Sequence, residues 1–511
     1  METGNGIFAE ERTMHKPGCG ILHGRGMGMN WSGRMRRVGC GVALACLGVT
    51  GSLLAQGHAA EQTVAAVMVS DIHFEPFFDP AKTVQLAGAP VSAWKGILAG
   101  PVSADREARF AELGKSCPVR GQDSSYPLFD SSLRAMRKDG AGAKFVTVSG
   151  DLIAHSFQCK FGAVFPHAAA GEYRAFVEKT IDFVIDQLDE AVPGVPVFVA
   201  LGNNDSDCGD YQLDAHSEFL AAVGEEVAKS FPEAERKGIA ESYAAGGYFS
   251  ARLPAGNARM LVLDDQFMGA KYTTCGGKAD PTAAEAQLDW MQKQLAEARQ
   301  SKEKVWVMAH IPPGVDVHAT ALKMDAACGE KGPKMFLASE KIADVLTENS
   351  DVVALAVFAH THMDEWRILK PESGATGGDV AVKGVASISP INGNLPSITV
   401  ARVSASSAGL VDYKVMVASN ATGVDTTWRE EYGWGKTYHA AEFSAANVSK
   451  LVAGFAADGD AKTEASQAYI RDFIAGKDSP LLALVWPLYA CGLGSDSAQA
   501  FKACACKDAA K

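Results

Sequence analysis

Five short apolar runs in this sequence each end on a residue able to ligate a metal. Asp71-x-His73 follows the run at 63–70, Gly150-Asp151 the run at 143–149, and Gly202-Asn203 closes the run at 195–202. Ala309-His310 and His360-x-His362 stand in the same relation to the runs at 304–309 and 352–359. Three of the 12 histidines lie in the first 59 residues, and five of the other nine fall at or beside these run ends. One such histidine is more often structural or on the surface; five coincident run ends have no such bland explanation. Imidazole favours zinc, iron, manganese or nickel, while carboxylate and amide oxygens also accept harder ions. Two divalent ions roughly 3.5–4 Å apart need a bridging carboxylate and a bridging water or hydroxide. Asp151 suits the bridge, and His360 and His362 can place one ring on each ion. That chemistry is hydrolysis.

The elements that must hold these residues follow from the apolar pattern. Continuous runs rich in β-branched residues, bounded by turn residues, suit strands buried on both faces. Helical spacing appears over 128–138, 172–188 and 283–298, the last with Leu288, Met291 and Leu295 on one face. Strands alternating with helices predict α/β layers, in which ligands gather at the carboxyl ends of the strands. Residues 248–253 and 258–264 read as a hairpin turned by Pro254-Ala255-Gly256-Asn257. After Asp412 the pattern changes, and Trp428-Arg429-Glu430-Glu431-Tyr432 is expected to begin a helical, alanine-rich tail. The expected division is an N-terminal extension and signal peptide (1–59), a catalytic domain (60–415) and a small disulfide-tied helical subdomain (416–511).

The 511 residues are 47% hydrophobic and 21% charged, an ordinary globular balance. A formal charge of −12 argues against nucleic-acid binding, which needs lysine and arginine for the phosphates. Small phosphate esters remain compatible, because bound metal ions supply local positive charge. Met35-Arg36-Arg37, the apolar stretch 38–55 and Gly57-His58-Ala59 have the layout of an export signal, with a mature chain starting near Ala60. Residues 1–34 show no periodicity and read as an over-extended start. A periplasmic or secreted protein is expected, acting as a monomer. No later segment is long and apolar enough to span a bilayer. Beyond the leader lie Cys117, Cys159, Cys208, Cys275, Cys328, Cys491, Cys504 and Cys506, with no C-x-x-C pair among them. In an exported chain this even set reads as disulfides, with Cys491 paired to Cys504 or Cys506.

The order D-x-H, G-D-x-x-x-H, G-N, H, H-x-H resembles the calcineurin-like metallophosphoesterases. Gly150-Asp151-Leu152-Ile153-Ala154-His155, Ala309-His310-Ile311-Pro312-Pro313-Gly314, His360-Thr361-His362-Met363-Asp364-Glu365-Trp366 and Ser389-Pro390-Ile391-Asn392-Gly393-Asn394 are similar to their acid sphingomyelinase-like branch. Asp123-Ser124-Ser125 and the cysteine-containing tail extend the likeness over almost the whole mature chain. The resemblance implies a β-sandwich flanked by helices, with a small C-terminal helical subdomain. It also implies two divalent ions, zinc foremost, with manganese or iron as alternatives. One would be held by Asp71, His73, Asp151 and His362, the other by Asp151, Asn203, His310 and His360. The implied activity is hydrolysis of soluble phosphodiesters, or phosphomonoesters, by metal-bound hydroxide.

Several departures from the family pattern stand out. The family usually has a histidine after the metal-binding asparagine, whereas this chain has Asn204, which can donate a hydrogen bond to phosphate but not a proton. His155 matches the branch's other active-site histidine and becomes the general-acid candidate, against the simpler role of orienting a ligand. Ala359 replaces a common glycine. Ala154 stands where purple acid phosphatases place a ferric-ligating tyrosine, which favours a zinc-like pair. Between the expected cleavage site and Asp71 there is room for one strand only, so a saposin-like lipid-extracting domain is not expected there. An endopolyphosphatase and a metal-retaining, non-catalytic binding protein are the competing readings. Substrate choice is expected to lie with loops at 79–105, 157–172 and 315–334. Phe74, Phe77, Phe78, Tyr211 and Trp366 serve either substrate contact or packing.

Overall fold

The apolar runs form two six-stranded sheets. In the computed structural model, which describes residues 62–323, 327–372 and 374–506, strands are numbered in chain order. The first sheet takes β1 (Thr63–Val69), β2 (Ala143–Ser149) and β3 (Val197–Ala200), which run parallel. The second takes β4 (Phe249–Leu253), β5 (Ala258–Val262), β6 (Lys304–Met308), β7 (Val353–Phe358), β8 (Glu365–Leu369) and β9 (Val380–Gly384), in the order β4-β5-β6-β7-β9-β8. β10 (Ser397–Ser404), β11 (Leu410–Ala418) and β12 (Trp428–Gly433) then return antiparallel to the first, giving β12-β11-β10-β1-β2-β3. Every residue of β3 and β9 is buried, as strands covered on both faces require.

The inner faces of the two sheets share one core. Phe145 of β2 meets Trp306 of β6 edge-on at 5.6 Å, and Phe198 of β3 lies parallel to Phe249 of β4. Trp306 satisfies its indole N–H on the Ala408 carbonyl at 2.7 Å, so the ring is buried without an orphan donor. Helices cover the outer faces. Glu172–Ala191 buries Phe176, Phe183 and Leu188 on the first sheet's side, and Thr282–Ser301 buries Leu288, Met291 and Leu295 on the second's. The 248–264 hairpin forms as expected, with Leu253 opposite Ala258.

Three expectations shift. Residues 79–105 carry two helices, Pro80–Gly88 and Val91–Ala99; the first is started by Asp79 accepting from the Ala81 N–H and by proline in its first turn. Phe157–Val164 is likewise helical. The segment from Trp428 is an edge strand, not the start of a helix, because the open edge of β11 offers it ladder partners from Lys414 to Ala418. Lys414–Glu430 pairing and a bond from the Trp428 indole to Ser131 Oγ (3.0 Å) add to that docking, and tertiary contact overrides local propensity. The helical part of the tail begins at Trp434.

All eight cysteines among the described residues are paired: Cys117–Cys159, Cys208–Cys275, Cys328–Cys506 and Cys491–Cys504. Cys491 thus takes Cys504, while Cys506 ties the chain end to the loop at Cys328. Among the described residues no helix is long and apolar enough to cross a membrane. The export signal read in residues 35–59 lies outside the described residues.

Candidate metal centre

The carboxyl ends of β1, β2, β3, β6 and β7 converge, and with them all seven ligand candidates. Asp71, His73, Asp151, His360 and His362 adopt positive φ, from 42° to 67°. Non-glycine residues in that region cost about 1–3 kcal/mol each and persist where the surroundings over-determine them. Here the loops pair with one another: Asp71 N–H donates to Gly150 O (3.0 Å), His73 N–H to Asp151 O (2.9 Å) and Ala359 N–H to His310 O (2.8 Å). Two glycines give the space. A Cβ on Gly202 would sit 2.2 Å from Asp151 Oδ1, and one on Gly150 would sit 2.7 Å from His310 Nδ1.

Asp151 lies at the middle of the cluster. Its Oδ2 is 3.4 Å from His73 Nε2 and 3.2 Å from His310 Nε2. His362 Nε2 is 3.4 Å from Asp71 Oδ1 and 3.2 Å from His73 Nε2, while His360 Nδ1 is 3.3 Å from His310 Nε2. The carbonyls of Ile153 and Ser149 accept from Nδ1 of His73 (2.9 Å) and His310 (2.7 Å). Because a carbonyl only accepts, Nδ1 is the donor in both rings and Nε2 is the atom turned to the cluster. Tyr211 Oη lies 3.2 Å from His360 Nε2 and leaves Nδ1 as the inward atom of that ring.

The donor set fits a pair of divalent ions. Both Asp71 oxygens and Asn203 Oδ1 are buried with no hydrogen-bond partner, although buried polar atoms are nearly always satisfied. Burial lowers His73 to about 4, and burial with the neighbouring His310 lowers His360 to about 3, so these rings offer lone pairs at neutral pH. Burial raises Asp71 to about 7 against the pull of His310. Burial alone would lower His310, but the facing Asp151 carboxylate outweighs it and raises the ring to about 10. A proton thus occupies the place a cation would take, and metal binding there exchanges one for the other.

Sequence reasoning missed the residues that brace this cluster. Asp205, fully buried, accepts from the N–H groups of Leu152 (2.8 Å), Ile153 (3.0 Å) and Gly202 (2.9 Å), which clamps the β2 and β3 loops together. Asp265 does the same after β6, accepting from His310 N–H (3.2 Å) and Ile311 N–H (2.9 Å). Asp210 takes an N–H from Asn203 Nδ2 at 2.7 Å, which leaves Asn203 Oδ1 free to face a cation. Their only sequence signal was an acid two residues (Asp205) or seven residues (Asp210) after Asn203, or an acid pair, Asp264-Asp265, after an apolar run.

The two other site candidates are also brought here. His155 stacks on His73 with centroids 4.0 Å apart, and its Nδ1 is 3.1 Å from Asp123 Oδ1. Its side chain is 30% exposed, unlike the fully buried His73, so Nε2 can reach a ligand. Burial would lower His155, but Asp123 more than compensates and the net shift is upward. Asn204 donates from its backbone (2.9 Å) and its Nδ2 (3.0 Å) to the two oxygens of Asp151. Of the five aromatics singled out, Phe74, Phe77 and Trp366 are core, Phe78 packs on Phe110 under Arg106, and Tyr211 alone touches the cluster.

Two sheets with acids, amides and imidazoles gathered at their strand ends define a metallophosphoesterase. Residues 66–364 match the calcineurin-like phosphoesterase family, and the chain belongs to it. Among curated relatives, the cyclic GMP-AMP phosphodiesterase SMPDL3A of Rattus norvegicus is 25% identical over 342 residues, 64% of this chain and 70% of that protein. The sphingomyelinase phosphodiesterase C of Dictyostelium discoideum is 23% identical over 52% of this chain and 54% of its own length. An endopolyphosphatase of Yarrowia lipolytica is 23% identical over 35% of this chain but only 21% of its own.

Proposed function

We propose that this protein is an exported, dinuclear-metal phosphodiesterase acting on soluble phosphate esters, with phosphomonoesters as the second substrate class. The observation that carries the reading is the set of orphaned, buried oxygens, two on Asp71 beside the imidazole cluster and one on Asn203 in the loop that bonds to Asp151. Asp71, His73, Asp151 and His362 would hold one ion, and Asp151, Asn203, His310 and His360 the other, zinc being the first choice. Such a pair supplies Lewis acidity, which makes water nucleophilic near neutral pH and neutralises charge building on the phosphoryl oxygens.

The chain's own residues supply the remaining functions. Asp123 fixes Nδ1 of His155, so His155 Nε2 is the atom that delivers a proton to the departing oxygen. Asn204, held on Asp151, has a second amide proton for a phosphoryl oxygen and orients the substrate without transferring a proton. A cavity of about 350 Å³ is lined by His360 and Thr361, by Phe473, Leu482 and Val485, and by Arg120 and His318. Its apolar side chains suit an organic substituent on the phosphate, which favours a diester over the endopolyphosphatase alternative. The four disulfides among the described residues fit an extracytoplasmic location, periplasmic or secreted.

The test is metal content together with hydrolysis of bis-p-nitrophenyl phosphate and p-nitrophenyl phosphate. About two zinc-like ions per chain are expected, with turnover lowered by roughly 10³-fold or more in Asp151→Ala. His155→Ala is expected to keep most activity on these esters, whose leaving group needs no acid, and to fail on alkyl esters. Metal without turnover would move the reading to a binding protein.

A further inference from the structure

The turn carrying His360 and His362 is strained at both histidines, with φ of 67° and 66°. β7 ends at Phe358 and β8 begins at Glu365, so strand pairing holds neither residue directly. The intervening Thr361 donates its N–H to Ala359 O (2.7 Å) and its hydroxyl to Glu365 Oε1 (3.2 Å). Glu365 is buried and fully engaged. Arg367 donates to the same Oε1 at 3.1 Å, and the Tyr489 hydroxyl donates to Oε2 at 2.5 Å. The preceding acid, Asp364, accepts from Lys383 and from the Tyr432 hydroxyl (2.5 Å), and its N–H donates to Phe473 O (3.0 Å).

Tyr432, Phe473 and Tyr489 all lie beyond β11, far along the chain from the turn they brace. Tyr489 sits on the helix Trp486–Gly492, which the Cys491–Cys504 disulfide ties to the last described helix, and Cys328–Cys506 ties that helix to the loop at Cys328. A phenylalanine would fill the same volume, so the hydroxyl is the informative atom. Arg367 already balances the charge of Glu365, which leaves orientation as what the Tyr489 bond adds.

We propose that Tyr489 is a positioning residue for the candidate metal centre. Its hydroxyl orients Glu365, Glu365 holds the Thr361 hydroxyl, and the turn so fixed presents His360 and His362 to the two ions. The inference rests on the dinuclear reading given above. It assigns the C-terminal segment a part in metal retention, and not only in covering the sheet.

The experiment follows zinc retention by the full mature protein against a competing chelating dye, beside thermal unfolding and kcat and KM on bis-p-nitrophenyl phosphate. Tyr489→Phe is expected to hold zinc about tenfold more weakly, the lower end of what removing a group behind a metal ligand does. Thr361→Val should do the same and Thr361→Ser should restore retention. The double variant Tyr489→Phe with Thr361→Val should be no weaker than Thr361→Val alone, since both act through one chain of contacts. Loss of kcat with little change in KM is the matching kinetic sign. A Tyr489→Phe protein that retains zinc like wild type overturns the proposal, whatever its melting temperature. If that variant does not fold, the Thr361 pair decides: weak retention in Val but not Ser supports it, and equal retention overturns it. A wild-type protein that binds no divalent ion overturns the functional reading, and this inference with it; wild type holding two ions while Tyr489→Phe holds them equally overturns this inference alone.

Discussion

At the ends of β1, β2, β6 and β7, buried carboxylates face imidazoles, and both oxygens of Asp71 meet no donor. At the junction between the sheets and the C-terminal segment the burial is as deep, yet Asp364 and Glu365 each meet a cation and a tyrosine hydroxyl. The same side-chain chemistry is therefore finished in one place and left open in the other. Closed ion pairs are structure: they repay desolvation only when every lone pair is used. Open ones need either a charge that arrives or a proton that is kept: Asp71 with Asn203 marks the first case, and Glu431, at the junction, the second.

The contrast can be broken from either side. The largest effect is expected at Lys383, whose side chain is fully buried beside an equally buried Asp364. Lys383→Met leaves that carboxylate without its cation and should lower unfolding free energy by about 3–5 kcal/mol, read by denaturant titration. A smaller effect is expected at Glu431, the junction acid whose Oε2 has no partner. Burial, with Asp364 and Asp472 nearby, raises it from 4.5 to about 8. The folded state therefore holds this proton more tightly than the unfolded chain, and stability declines as pH rises between those values. Glu431→Gln should remove that decline and stabilise by roughly 2 kcal/mol at pH 8.5 after allowance for partial exposure, with little change at pH 4. Melting curves at the two pH values test it; equal shifts would place Glu431 among the closed pairs. The smallest effect is at the open site itself. In chelator-treated protein, Asp71→Asn should shift stability by no more than about 1 kcal/mol, and upward, because it removes a buried acid with no partner. Added zinc should then raise the melting temperature of wild type more than that of the variant.

Much of the candidate centre was readable because strand ends announce themselves locally: an apolar run, then Asp, His or Asn. The bracing was not. Asp205 bonds to Leu152 across 53 residues of sequence and Tyr489 to Glu365 across 124, and neither has a local pattern to mark it. Residues 428–433 failed for a related reason: their strand depends on the unpaired edge of β11, which exists only once β10 has returned to β1. Family membership, the seven candidate ligand positions and the α/β layering belong to the sequence by itself, since residue type and short-range periodicity encode them. Which buried charges are closed and which stay open was decided by the tertiary structure alone, because each answer depends on a donor or cation brought in from elsewhere in the chain.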